Sequence, residues 1–297
     1  MTETHTKAGF VAVIGAPNAG KSTLVNALVG QKVAIVSPKA QTTRARLMGI
    51  AIEGAAQILL VDTPGIFEPK RRLDRAMVAA AWTGAQDADL ILLVVDASEK
   101  LRDDLLDGLA ERQHPLFLVL NKIDLVRKEM LLALSADLTR RLNPDQVFMI
   151  SAAQGDGVAD LKQALTAAMA EGPWLYPEDE VSDATDRMIA AELTREQIVN
   201  RLRQELPYAT AVETETWTDR PDGSTEIRQQ ILVERDSQKA IVIGKGGRRL
   251  KEIGAAARAE IAEHLGRPVH LLLHVKVNPR WDEDRGLYRE IGLEWAD

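Results

Sequence analysis

The chain has 297 residues, 45% of them hydrophobic, with no cysteine, five histidines and a formal net charge of −7. At roughly 150 residues per domain this is two domains' worth of chain, with an apolar content that suits packed cores and excludes a disordered protein. The lack of cysteine excludes disulfides, thiolate zinc sites and cysteine catalysis; His5, His114, His264, His270 and His274 are too scattered to suggest a metal site, and the net acidity taken whole argues against a nucleic-acid binder.

In chain order, residues 1–9 are polar and do not read as a signal peptide, and no apolar run approaches the ~18 residues of a membrane span, so a cytoplasmic protein is expected. Phe10–Ile14, Gln57–Val61, Leu90–Val95, Leu116–Leu120 and Gln146–Ile150 are short apolar runs bounded by Gly, Asp, Asn or Ser, and are predicted strands. Helical spacing appears between them, as in Lys21–Val29 and Val158–Met169. Apolar strands alternating with helices predict a doubly wound α/β domain whose parallel sheet is covered on both faces. The proline-broken, acidic stretch from Gly172 to Glu180 resists regular structure and marks a linker.

Beyond the linker the pattern changes to a smaller α+β domain. Asp186–Leu206 is a predicted helix, and Tyr208–Trp217 and Thr225–Glu234 are predicted strands joined by a hairpin turn at Asp219–Gly223. A helix–turn–helix then centres on Gly244-Lys245-Gly246-Gly247, followed by a strand at Pro268–Val277 and a short charged helix. The expected division is 1–175 for the first domain, 176–185 for the linker and 186–297 for the second.

Gly15-Ala16-Pro17-Asn18-Ala19-Gly20-Lys21-Ser22 matches G-x-x-x-x-G-K-[ST] between a predicted strand and a predicted helix, with Thr23 continuing the site. Glycines let the loop wrap an anion, the helix N-terminus adds positive potential, Lys21 reaches the β and γ phosphates and the Ser22 hydroxyl ligates Mg²⁺. Asp62-Thr63-Pro64-Gly65 ends a strand at the carboxyl edge of the sheet, where Asp62 can hold Mg²⁺ through water and the Gly65 N–H can meet a γ-phosphate. Asn121-Lys122-Ile123-Asp124 follows another strand, and the Asp124 carboxylate can accept the paired ring and amino N–H groups of guanine, which adenine lacks. Ser151-Ala152-Ala153 completes the base pocket, with the Ala152 N–H offered to the guanine carbonyl. In Gln41-Thr42-Thr43-Arg44, Thr43 is chosen to close onto Mg²⁺, with Thr42 as the alternative.

Ile66 stands where many GTPases carry a glutamine that orients the attacking water, so intrinsic hydrolysis is expected to be slow. Asn18 could ligate a K⁺ that neutralises developing charge. Lys70, Arg71, Arg72 and Arg75 read as a solvated mobile loop, with an arginine finger or a partner contact as the alternatives.

The charge is unevenly distributed. Residues 239–280 hold nine bases and three acids, a net +6 within an acidic protein. This is a candidate footprint for a polyanion. The Gly244–Gly247 turn lets a sugar–phosphate backbone approach, with Lys245, Arg248, Arg249 and Lys251 around it. Ile241, Val242, Ile243, Leu250 and Ile253 are the expected apolar floor under unstacked bases. His270 and His274 share one side of the last strand, and Trp174, Trp217, Trp281 and Trp295 read as packing residues.

Taken together, these motifs closely resemble the Era family of bacterial GTPases over nearly the whole chain. The resemblance implies GTP hydrolysis with Mg²⁺, cycling between GTP and GDP and stimulated by RNA, and a type II KH domain that recognises the 3′ end of 16S rRNA. It also implies action in assembly of the 30S ribosomal subunit and peripheral association with the cytoplasmic side of the inner membrane. A monomer without a DNA partner is expected. Hydrophobic Ile66 fits the family pattern, and Gly246 is small where that pattern admits a larger or basic residue.

Overall fold

The computed structural model describes residues 5–37, 39, 43–44, 47–69, 71–100, 103–110, 112–202, 206–291 and 293–295. Gln41, Thr42 and Lys70 lie outside these residues. The chain divides into two compact units: one runs to Ala34 and resumes over Thr43–Asp183, and the other is Ala184–Trp295 together with Ile35–Thr42.

The first unit is built from β1 (Lys7–Ile14), α1 (Lys21–Val29), β2 (Leu47–Glu53), β3 (Ala56–Asp62), α2 (Arg72–Asp87), β4 (Leu90–Asp96), α3 (Asp103–Ala110), β5 (Leu116–Asn121), α4 (Lys128–Leu142), β6 (Gln146–Met149), α5 (Val158–Ala168) and β7 (Ala170–Glu171). Its sheet runs β2-β3-β1-β4-β5-β6, with β7 also on β1. Because side chains alternate along β1, Val11 and Val13 pack with α1 and α5 on one face, while Ala12 and Ile14 pack with α2, α3 and α4 on the other.

Two sequence expectations change here. The sheet is mixed rather than parallel, because β2 pairs antiparallel with β3. Gly49 makes that strand hard to recognise, yet it has a packing role: a Cβ there would lie 2.8 and 2.9 Å from Val29 and Val25 of α1. The basic stretch after Asp62 is also not all loop. Arg72 and Arg75 lie in α2, and the Asp74 carboxylate accepts the Arg71 N–H at 3.0 Å to cap it. Leu73, Ala76 and Met77 are buried at helical spacing, so the core stabilises α2 despite its charged surface.

The linker is fastened to the sheet. Gln57, a buried polar residue on β3, accepts the N–H groups of Leu175 and Tyr176 at 2.8 and 3.0 Å and donates to the Tyr176 carbonyl at 2.8 Å. The Ile50 N–H on β2 then donates to the Val181 carbonyl at 2.8 Å.

The second unit comprises α6 (Asp186–Arg201), β8 (Thr210–Asp219), β9 (Thr225–Val233), α7 (Asp236–Ile243), α8 (Arg248–Leu265), β10 (Val269–Val277) and α9 (Arg285–Glu290). β8 and β9 form the expected hairpin, and α7–α8 cross over to bring β10 parallel to β9. The predicted first helix is shorter than expected: α6 ends at Arg201, and Leu206–Ala209 forms a separate 3-10 turn around Pro207. Ile35–Thr42 contributes to this unit through α6. The Val36 N–H donates to Glu196 Oε1 at 3.1 Å, and Lys39 Nζ donates to the carbonyls of Val199 and Leu202. Trp281 is fully buried and Trp295 packs on Tyr288, as packing residues should.

Candidate nucleotide site and nucleic-acid interface

The loop between β1 and α1 is held in a shape that its residue types permit. Gly15 has φ 151 and Gly20 has φ 92; a Cβ at either position would come within 2.2 Å, of the Val94 carbonyl oxygen and Asn121 Nδ2 respectively. Asn18 sits at φ 62, a left-handed conformation that asparagine tolerates better than most side chains. Ala19 is fully buried beneath the loop. Lys21 Nζ donates to the carbonyls of Gly15 and Ala16 at 3.2 and 2.9 Å.

Beside it, Ser22 Oγ donates to Asp62 Oδ2 at 2.7 Å and lies 2.8 Å from Thr43 Oγ1, which donates to the same carboxylate oxygen at 3.5 Å. Burial pushes the Asp62 carboxyl up to about 6, against the lowering effects of Lys21, Ser22 and Thr43. Burial lowers the Lys21 ammonium to about 8, against the raising effect of Asp62. Asp62 Oδ1 is buried without a hydrogen-bond partner. Three converging oxygen ligands, one of them an anion with an unsatisfied atom, suit a hard cation such as Mg²⁺.

The segment after Asp62 presses against the loop. A Cβ on Gly65 would lie 2.7 Å from the Pro17 nitrogen, and the Ile66 N–H donates to the Gly15 carbonyl at 3.1 Å. Thr63 Oγ1 donates to the Val13 carbonyl at 2.8 Å, and Pro64 is buried. The Ile66 side chain packs into the core between the sheet and its helices. Thr23 is half-buried in the first turn of α1.

Asn121 links the loop to the base pocket: its Nδ2 donates to the Ala19 carbonyl at 2.8 Å, and its Oδ1 accepts the Ala152 N–H at 3.0 Å. The Ala152 N–H, expected to meet a guanine carbonyl, is therefore already engaged within the protein. Asp124 is exposed on a single 3-10 turn, Ser151 is fully buried and Ala153 is exposed. Lys122 reaches Asp96 Oδ2 at 2.5 Å, a partner that motif reading missed.

In the second unit, Gly244, Gly246 and Gly247 all have positive φ (73, 61 and 77), which explains the three glycines. The basic residues differ in role. Lys245 and Lys251 are exposed, Arg248 is exposed and pairs with Glu252 at 2.9 Å, and Arg249 Nη1 donates to the Ile241 carbonyl at 2.6 Å near the end of α7.

The apolar floor matches the expected one only at Leu250. Val242 and Ile253 are fully buried in the core and Ile243 packs against it, while Ile241 is exposed. Leu250 lines a groove of about 420 Å³ that opens beside Gly247, together with Gly254, Leu271 and Leu273, with Lys251 and Arg258 also lining it. Alternation along β10 puts His270 and His274 on the exposed side, opposite Leu271 and Leu273.

Residues 10–122 match the family described as 50S ribosome-binding GTPase, and residues 205–282 match the KH domain. The chain is 56% identical over 303 residues to GTPase Era of Erythrobacter litoralis, covering 100% of both chains. It is 59% identical over 293 residues to GTPase Era of Afipia carboxidovorans, covering 98% of this chain and 95% of that one. A crystal structure of Era with MgGDPNP and nucleotides 1506–1542 of 16S ribosomal RNA matches 97% of this chain and 99% of that one, at 39% identity and a TM-score of 0.91. An Aquifex aeolicus Era variant bound to GDP·AlF4⁻ matches with the same coverage and TM-score at 38% identity. With a nucleotide-binding loop, a KH domain and full-length relatives of this similarity, the chain belongs to the Era family of GTPases.

Proposed function

We propose that this GTP-binding and GTP-hydrolysing protein is a switch that binds the 3′ end of 16S rRNA and acts in cytoplasmic maturation of the 30S ribosomal subunit. Peripheral inner-membrane association belongs to the same reading and rests on family membership alone. The observation that carries the proposal is the likeness across both units to an Era solved with MgGDPNP and the 16S fragment. We assign 1–175 to the GTPase domain, 176–185 to the linker and 186–297 to the KH domain; the division of units after Asp183 supports the position of the linker, while Ile35–Thr42 groups with the second unit.

In this reading Ser22, Thr43 and Asp62 hold Mg²⁺, which supplies charge neutralisation along the phosphates. Lys21 neutralises the β and γ phosphates, and the Gly65 N–H meets the γ-phosphate. The pressure of Gly65 on Pro17 supports a tight coupling between those two segments. The buried Ile66 side chain supports slow intrinsic hydrolysis, because it presents no polar atom to a water. Asn18 is the candidate ligand for K⁺. Asp124 reads guanine, and Lys245, Arg248 and Lys251 attract the RNA backbone toward the groove.

Phosphate release is the direct test, measured with Mg²⁺ in K⁺ or Na⁺ buffer, with and without an RNA ending in the 16S 3′ sequence. Slow GTP turnover that rises with K⁺ and with RNA is expected. No turnover under any of these conditions would overturn the switch reading.

A further inference from the structure

Asp96 lies outside the recognised nucleotide motifs, yet it has the features of a functional carboxylate. It closes β4 at the same carboxyl edge of the sheet as Asp62, and the pairing of β4 with β5 sets it opposite Asn121. Its side chain is buried, 6% exposed. One carboxylate oxygen, Oδ1, accepts the Ser98 N–H at 2.9 Å and the Ser98 hydroxyl at 2.6 Å. The other, Oδ2, accepts Lys122 Nζ at 2.5 Å. Burial alone would raise this carboxyl, but the hydrogen bonds from Lys122 and Ser98 more than offset it and hold it below the usual carboxylate range. It is therefore charged at neutral pH.

Lys122 is held at both ends. Its backbone is left-handed at φ 62, an uncommon conformation for a residue other than glycine. Its ammonium is fixed on Asp96. The Ala97 N–H donates to the Asn121 carbonyl at 2.9 Å, so the turn after β4 grips the next loop at two successive residues. On one side of Lys122 is Asn121, which bridges the phosphate loop and Ala152; on the other, two residues on, is exposed Asp124.

We infer that Asp96 is a positioning residue for guanine recognition, locking Lys122 and with it the Asn121–Asp124 loop, and that Ser98 orients Asp96 in turn. The inference rests on the reading of Asp124 as the guanine acceptor. It differs from that reading in predicting that a residue with no atom on the base controls how long the nucleotide stays bound.

The test uses the full-length protein and a fluorescent GDP, with dissociation followed by stopped flow. Asp96→Ala is expected to speed GDP release about tenfold, the effect of losing a charge-assisted hydrogen bond, while kcat at saturating GTP stays within about twofold. Ser98→Ala should speed release by about threefold without removing a charge. The Asp96→Ala/Lys122→Ala double variant should release GDP no faster than the faster single variant, because both act through one contact. Asp124→Asn separates the two ideas, since it should transfer preference from guanine to xanthine nucleotides. If it does so while Asp96→Ala and Ser98→Ala leave release unchanged, the positioning role is overturned and the base-site reading stands. If it leaves selectivity unchanged, the base-site reading fails, and the positioning role fails with it. If Asp96→Ala does not fold, the Ser98→Ala release rate decides alone.

Discussion

Gly20 concentrates several constraints in one residue. It needs a left-handed φ, it opens α1, and its missing Cβ leaves room for the Asn121 amide that joins the phosphate loop to Ala152. Replacing it with alanine therefore imposes backbone strain and displaces Asn121 together. Gly20→Ala is expected to cost about 2 kcal/mol of stability and to weaken GDP binding at least about tenfold. Chemical denaturation and a fluorescent GDP titration measure the two effects, and affinity within twofold of the parent would contradict this account. The type of this residue was legible from the motif, whereas its neighbour was not. Sequence reading identified Asn121 as part of a base-binding motif, but nothing along the chain indicates that its amide faces a glycine 101 positions earlier. Asp96 was hidden for the same reason. A strand-ending aspartate gains meaning only from the register that sets it beside Asn121.

At the scale of elements, α8 and β10 wall the groove proposed for RNA, and charge and shape come from different residues around it. Lys245 and Arg248 near the start of α8 offer charge, and Gly254, Leu271 and Leu273 offer an apolar slot. These contributions separate experimentally. Lys245→Ala with Arg248→Ala should weaken binding to the 16S 3′ RNA and reduce the slope of log affinity against log salt by about one per lost phosphate contact. Gly254→Leu should instead weaken binding about tenfold by filling the slot, leaving the salt slope unchanged. Fluorescence anisotropy over a salt series measures both. A changed slope for Gly254→Leu, or an unchanged one for the double variant, would mean that charge and shape are assigned to the wrong residues. Elements with strong local patterns were legible in advance, including β4, β5, α5 and the β8–β9 hairpin. The edge strand β2 was not, because Gly49 interrupts its apolar run. The groove was not either, because helical periodicity alone does not distinguish Ile253, which is buried in the core, from Gly254, which faces the slot.

Across the whole molecule, net charge is a poor guide to the proposed partner. The total of −7 hides the +6 stretch within residues 239–280, which is the local quantity that the proposed RNA contact would sense. The arrangement of the units carries a second lesson, about dissecting the protein. Ile35–Thr42 belongs by its contacts to the second unit while sitting between two parts of the first. A cut after Asp183 follows the chain but not the architecture. The N-terminal fragment would carry Lys39 away from α6, and the C-terminal fragment would present the Val199 and Leu202 carbonyls without that cap. RNA affinities measured on such a fragment would describe a second unit whose α6 has lost the Lys39 cap on its last carbonyls, so they should be compared with those of the intact chain.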